Sequence, residues 1–184
     1  MKANAIQEIL GKEFLYRKEI HALSTLLSGE LSAIDAYNLA IEKVKDADLV
    51  PTLEQCRNSH ALRIQSLRQR MEDHGMQPLR SAGWWGTFTL AIEGGATMIS
   101  DKVAMSVLAA GEDFGHEQYT EHMKDLDTES FTLVENELLP AQTETLEIMK
   151  GLCAQLRGER KEPVMREETS TDEAGSVRQT RKTG

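Results

Sequence analysis

Glu30 and Glu112 stand in the same local sequence, and that repetition is the first sign of chemistry in the chain. Ser24-x-Leu26-x-x-Gly29-Glu30-x6-Tyr37 recurs as Ser106-x-Leu108-x-x-Gly111-Glu112-x6-Tyr119, a match at five positions. Seven residues turn an α-helix through about 700°, so each tyrosine lies about two turns along the same face as its glutamate. His60 supplies an imidazole, and His116 follows Glu112 by one turn on the same face. Two carboxylates and two imidazoles form a donor set for a single Zn²⁺, Fe²⁺ or Mn²⁺ ion, so Glu30, His60, Glu112 and His116 are the candidate ligands. The same residues also read as a buried polar network in which Arg57 neutralises the two glutamates while Tyr37 and Tyr119 donate to them. Carboxylates taken out of water must be paired or hydrogen-bonded, and this second reading is the weightier one.

These side chains need elements to hold them, and the punctuation for helices is legible. Asp46-Ala47-Asp48 with Pro51, His74-Gly75 with Pro78, Ser100-Asp101, Asp127-Thr128 and Gly158 mark stops and starts. They leave four long segments, roughly 16–46, 49–74, 101–124 and 128–157. Apolar residues recur at spacings of three and four: Leu23, Leu27, Ile34, Tyr37 and Ile41 in the first, Leu53, Cys56, Ile64, Leu67 and Met71 in the second. The third reads Met105, Leu108, Tyr119 and Met123, and the fourth Phe131, Val134, Leu138, Ala141, Thr145, Ile148, Leu152 and Leu156. Glu30, His60, Glu112 and His116 interrupt the first three stripes near their middles. Pro140 inside the fourth segment predicts a kink. The fold class expected is all-α, with 1–15 as an N-terminal extension, 16–157 as a four-helix bundle and 158–184 as a disordered tail.

Segments one and three are related by duplication, and His60-x6-Leu67 on the second aligns with Thr145-x6-Leu152 on the fourth, which sets Arg57 against Gln142. The chain therefore reads as two helical hairpins joined by a long connection, 75–100. That connection carries Trp84-Trp85-Gly86, fits a short amphipathic helix over about 84–93, and is expected to cap the bundle end. Gly29-Glu30-Leu31-Ser32-Ala33 with Tyr37, Arg57-x-x-His60-x6-Leu67, and Gly111-Glu112-Asp113 with Tyr119 resemble a bacterial family of unknown function, DUF2383, over about 20–155. The resemblance implies a ferritin-like antiparallel four-helix bundle with a long crossover between its second and third helices, and it implies no particular activity. Ferritin-like diiron proteins place a glutamate on each of two helices and Glu-x-x-His on each of the other two. Against that pattern Glu30, Glu112 and His60 match, Arg57 stands where a glutamate precedes the histidine, and the fourth segment offers Gln142-x-x-Thr145. An intact oxygen-activating diiron centre is not expected.

Composition narrows the function further. The 184 residues carry a formal charge of −9. Six basic and six acidic residues cancel in 158–184, so the acidity belongs to the bundle. An acidic body disfavours nucleic acid and anionic membrane as partners. No apolar run is long enough to span a bilayer, and Glu8 and Glu13 interrupt the start of the chain, so a cytoplasmic protein is expected. Cys56 and Cys153 read as reduced, buried thiols. No phosphate-cradling glycine loop, nucleophile elbow, zincin motif or paired-cysteine zinc motif occurs. The expectation is a non-catalytic binding or stress-associated bundle protein that forms a homo-oligomer and has room for a protein partner, with metal binding or oxidoreductase-type chemistry at a degenerate site as the alternative.

Overall fold

The computed structural model describes residues 2–78 and 100–158. Helix α1 runs Lys2–Lys43, α2 Val50–Asp73, α3 Asp101–His122, α4 Thr128–Leu133 and α5 Leu139–Arg157. A π-helical turn, Val134–Leu138, joins α4 and α5 into one continuous arm. Among the described residues there is no strand. The crossover from 79 to 99, with Trp84-Trp85-Gly86 and the short helix expected over 84–93, lies outside the described residues, as does the tail from 159.

The expected punctuation acts through hydrogen bonds. Asp46 accepts from the Asp48 amide at 3.0 Å, Ser100 Oγ from that of Val103 at 3.4 Å, and Asp127 from that of Ser130 at 2.7 Å. Each satisfies an amide that a helix start leaves orphaned. Pro51 sits in the first turn of α2, where its missing N–H costs nothing. Gly158 ends α5 at φ 78°, a left-handed conformation that favours glycine. Asp101 adds a tertiary tie: its carboxylate accepts from the amides of Lys45 and Asp46, both at 3.0 Å, and so pins the α1–α2 turn to the start of α3.

Residues 2–15, read as part of an extension, are helical and continue α1 without a break, because this stretch contains no proline and is rich in helix formers. Its apolar side chains stand free of the bundle: Ile9, Leu10, Phe14 and Leu15 are 60–66% exposed. Within the bundle, α1 packs most extensively on α2 and α3 on α5, and the two hairpins join through α1 against α3 and α2 against α5. Both hairpins are those expected from the repeat.

Two apolar layers form the core. One contains Tyr37, Leu49, Leu53, Cys56, Met105, Leu108 and Met149; the other Leu23, Leu27, Ile64, Leu67, Met71, Tyr119, Val134 and Leu138. Glu30, His60, Arg63, Glu112, Gln142 and Thr145, all at most 3% exposed, make up a buried polar layer. The fourth arm departs from the expected stripe. Pro140 cannot donate to a carbonyl one turn back, and a π-helical turn immediately precedes it. The extra residue in that turn advances the inward face by one position. Gln142, Met149 and Cys153 are buried where the 3.6-residue period predicts Ala141, Ile148 and Leu152.

A closed polar core at the candidate metal centre

Glu30 on α1 and Glu112 on α3 face each other across His60 of α2. His60 Nδ1 lies 2.7 Å from Glu30 Oε2, and His60 Nε2 lies 3.0 Å from Glu112 Oε1. The imidazole thus bridges the two carboxylates edge to edge. The tyrosines cross over: Tyr119 OH donates to Glu30 Oε1 at 2.8 Å, and Tyr37 OH donates to Glu112 Oε1. Each ring packs in one apolar layer while its hydroxyl reaches the glutamate of the other hairpin.

The cation in this layer is Arg63, not Arg57. Arg63 Nε donates to Glu30 Oε1 at 2.9 Å, and its NH2 lies 2.7 Å from His60 Nδ1 and donates to Gln142 Oε1 at 2.9 Å. Arg57 turns outward: it is part-exposed, 3.3 Å from Asn38 Oδ1 and 3.9 Å from Glu54. On a helix, residues three before and three after His60 lie about 60° to either side of it, and packing brings the Arg63 side inward. The structure therefore corrects the expectation for Arg57. His116 is half-buried, and its side chain takes part in none of the hydrogen bonds of the layer.

Gln142 and Thr145 complete the set. Gln142 Nε2 donates to Glu112 Oε2 at 2.7 Å and to the Glu112 carbonyl at 3.0 Å, and Thr145 Oγ1 donates to Oε2 at 2.8 Å. All four carboxylate oxygens are engaged. An offset of 82 residues relates Glu30 to Glu112 and Tyr37 to Tyr119, and the same offset relates His60 to Gln142 and Arg63 to Thr145. Carrying that one offset through the second and fourth helices is the sequence signal that finds Arg63. The alignment of His60 with Thr145 follows a different offset and misses it.

Electrostatics closes the layer. Burial pushes the Glu30 carboxyl up, but the charges of Arg63 and His60 and their hydrogen bonds outweigh it and hold the group at about 2. Glu112 is likewise lowered: burial opposes ionisation, and His60, Tyr37 and Thr145 overcome it. Burial disfavours the His60 imidazolium, while the charge of Glu30 and hydrogen bonds to both glutamates raise it above the ordinary imidazole value. Two carboxylates held as anions thus meet the Arg63 guanidinium and an imidazole whose protonation they favour and Arg63 opposes. Burial, reinforced by the charge of the glutamate each contacts, pushes Tyr37 and Tyr119 far up, so both remain donors. Cys56 beside Tyr37 is raised to about 11 by burial and by the charge of Glu112, which keeps it an unreactive thiol.

A narrow cleft between α1 and α3, with a cavity volume of about 40 Å³, leads down to this layer past Gly29, Gly111 and Gly115. The glycines differ in consequence. A Cβ on Gly115 would meet Gln142 Nε2 at 3.0 Å, whereas one on Gly29 would meet nothing within 4 Å. Gln142 is held by three hydrogen bonds and cannot give way without breaking one. Gly115→Ala is therefore expected to destabilise by about 1 kcal/mol despite its better helix propensity, and Gly29→Ala to stabilise by about 0.5–1 kcal/mol. Chemical denaturation of the two variants beside the parent reads both signs.

Helices arranged as two hairpins around a mid-bundle polar layer define a ferritin-like bundle. The chain belongs to the family described as domain of unknown function DUF2383, whose profile matches residues 18–125. Its fold is similar to the crystal structure of ferritin-like, diiron-carboxylate proteins from Bacillus anthracis strain Ames, with a TM-score of 0.61 at 16% identity over 76% of this chain and 96% of that one. No curated protein matches the sequence. The ferritin-like diiron ligand pattern is a glutamate on each of two helices and Glu-x-x-His on the other two. Here those last four positions are held by His60 and Arg63, and by Gln142 and Thr145. A dinuclear centre does not fit this set: one bridging carboxylate is an amide, the other an imidazole, and a guanidinium fills the position of a histidine. No helix among the described residues is long and apolar enough to cross a membrane.

Proposed function

We propose that this chain is a non-catalytic ferritin-like bundle protein in which a salt-bridged layer replaces metal as the agent that joins the two hairpins, and that it works as a binding protein in the cytoplasm. The observation that carries this reading is the complete engagement of Glu30 and Glu112 by Arg63, His60, Tyr37, Tyr119, Gln142 and Thr145. A metal ion at this place must displace donors from oxygens that are already satisfied, and it must sit against a permanent cation. Both weaken divalent-metal binding. The cleft over the layer offers a small ligand or a partner side chain a path to polar groups without redox chemistry. The exposed apolar residues of the first turns of α1 suit a homo-oligomer contact or a protein partner.

NMR of the histidine ring signals during titration with Fe²⁺, Mn²⁺ or Zn²⁺ tests the central layer. The His60 signals are expected to stay in place with each metal. Movement of those signals at stoichiometric metal would favour the alternative, a metal-binding or oxidoreductase-type protein using Glu30, His60 and Glu112.

A further inference from the structure

At the end of the bundle remote from the α1–α2 turn, a second cluster has the opposite character. Glu19 of α1, His74 at the C-terminus of α2 and Asp127 at the N-cap of α4 place Glu19 Oε1 3.4 Å and Asp127 Oδ2 3.0 Å from His74 Nε2. Ligand atoms bound at about 2.0–2.1 Å around a tetrahedral ion stand about 3.3 Å apart, so both spacings match edges of a coordination shell. The contacts do not match hydrogen bonds. His74 Nε2 is buried yet has no hydrogen-bond partner, because the carboxylate oxygens flank the nitrogen rather than lying where it could donate. Glu19 is only 5% exposed and accepts from the Ser130 hydroxyl at 2.6 Å. Among the described residues, His74 is the basic group in contact with that buried carboxylate.

Charge separates this cluster from the central layer. Arg70 donates to both oxygens of Asp127 at 2.9 Å and to Glu129 at 2.7 Å, and its Nε donates to the Ser130 hydroxyl, which in turn donates to Glu19, so one guanidinium is shared between two carboxylates and reaches Glu19 only through that hydroxyl. Lys18 is spent on Asp125 at 2.9 Å. Here three carboxylates, those of Glu19, Asp127 and Glu129, stand against one guanidinium, and although Asp127 accepts from Arg70 and Glu19 from Ser130, the imidazole nitrogen between them makes no hydrogen bond. We propose that Glu19, His74 and Asp127 bind one divalent transition-metal ion of zinc-like coordination, with water completing the shell. The ion ties α1, the end of α2 and the start of α4 together, and its binding free energy adds to the stability of the fold.

The test uses the full chain, freed of metal with a chelator and titrated with ZnCl2 by calorimetry, and with Co²⁺ by visible absorption. One equivalent is expected to bind, to raise Tm, and to move the His74 ring signals in NMR while those of His60 stay in place. His74→Gln is expected to weaken binding at least about 100-fold, since even the loss of a group that merely supports a ligand costs 10–100-fold. Glu19→Gln, close in shape to the parent, repeats the reading if His74→Gln fails to fold. Absence of stoichiometric binding would overturn this inference and leave the proposed function standing. Binding that survives both variants and moves His60 instead would overturn both.

Discussion

Arg63→Met is expected to lower the unfolding free energy by about 3–5 kcal/mol. The size follows from what is left behind. Arg63 is 2% exposed, and its Nε–H is one of three donors to a carboxylate that is itself 3% exposed. Methionine keeps the apolar stem but leaves Glu30 with a single cation, His60, and leaves Gln142 Oε1 without its donor. Removing one partner of a buried pair costs several kcal/mol because the other charge stays out of water, whereas replacing both can be neutral. Arg63→Met combined with Glu30→Gln should therefore recover much of the loss, a coupling that a double-mutant cycle in urea measures directly. Arg57→Ala is expected to stay within about 0.5 kcal/mol of the parent, since Arg57 is part-exposed and touches only Asn38 and Glu54. Equal losses at Arg57 and Arg63 would contradict the assignment of the buried cation.

Acid is expected to unfold the protein through the same layer. Glu30 titrates at about 2 in the folded chain against an ordinary value of 4.5. The unfolded chain therefore takes up the proton first as pH falls, so the contribution of Glu30 is fully present above about pH 4.5 and is lost as pH drops towards about 2. That difference corresponds to roughly 3 kcal/mol. Glu112, lowered in the same direction, steepens the loss. His60 has the opposite sign. Its folded value is raised, so its contribution is complete below the ordinary imidazole value of 6.5 and disappears as pH rises through the folded value. Stability should consequently decline on both sides of a mildly acidic maximum. Urea unfolding across this range gives the profile, and in Glu30→Gln the acid limb should flatten. A parent profile that is flat from about pH 4.5 to about 2 would mean that Glu30 is not held by Arg63 and His60.

The central layer and the cluster at Glu19 differ in how their carboxylates are satisfied. At the centre, Arg63 and His60 contact Glu30, and His60, Tyr37, Gln142 and Thr145 contact Glu112, so all four carboxylate oxygens are engaged. At the bundle end, Arg70 offsets only part of the local carboxylate charge, and His74 Nε2 lacks a donor or acceptor.

The sequence by itself determined the four long helical segments of the described residues and their order, the pairing into two hairpins and the burial of Glu30, Glu112, His60, Tyr37 and Tyr119. These follow from local rules: caps at Asp46, Ser100 and Asp127, a glycine stop at 158, apolar periodicity, and a repeat that sets each glutamate two turns from its tyrosine. Tertiary structure decided which residues meet them. Arg57 and Arg63 are equidistant from His60 along the chain and lie on opposite sides of it around the helix, so spacing cannot choose between them; packing against α1 and α5 does. In the fourth arm a π-helical turn, Val134–Leu138, shifts the inward face of the residues after it, so that Gln142 rather than Ala141 is buried. Glu19, His74 and Asp127 are 55 and 53 residues apart in the chain, with no shared periodicity, and only the closing of the two hairpins brings both carboxylates within 3.4 Å of His74 Nε2.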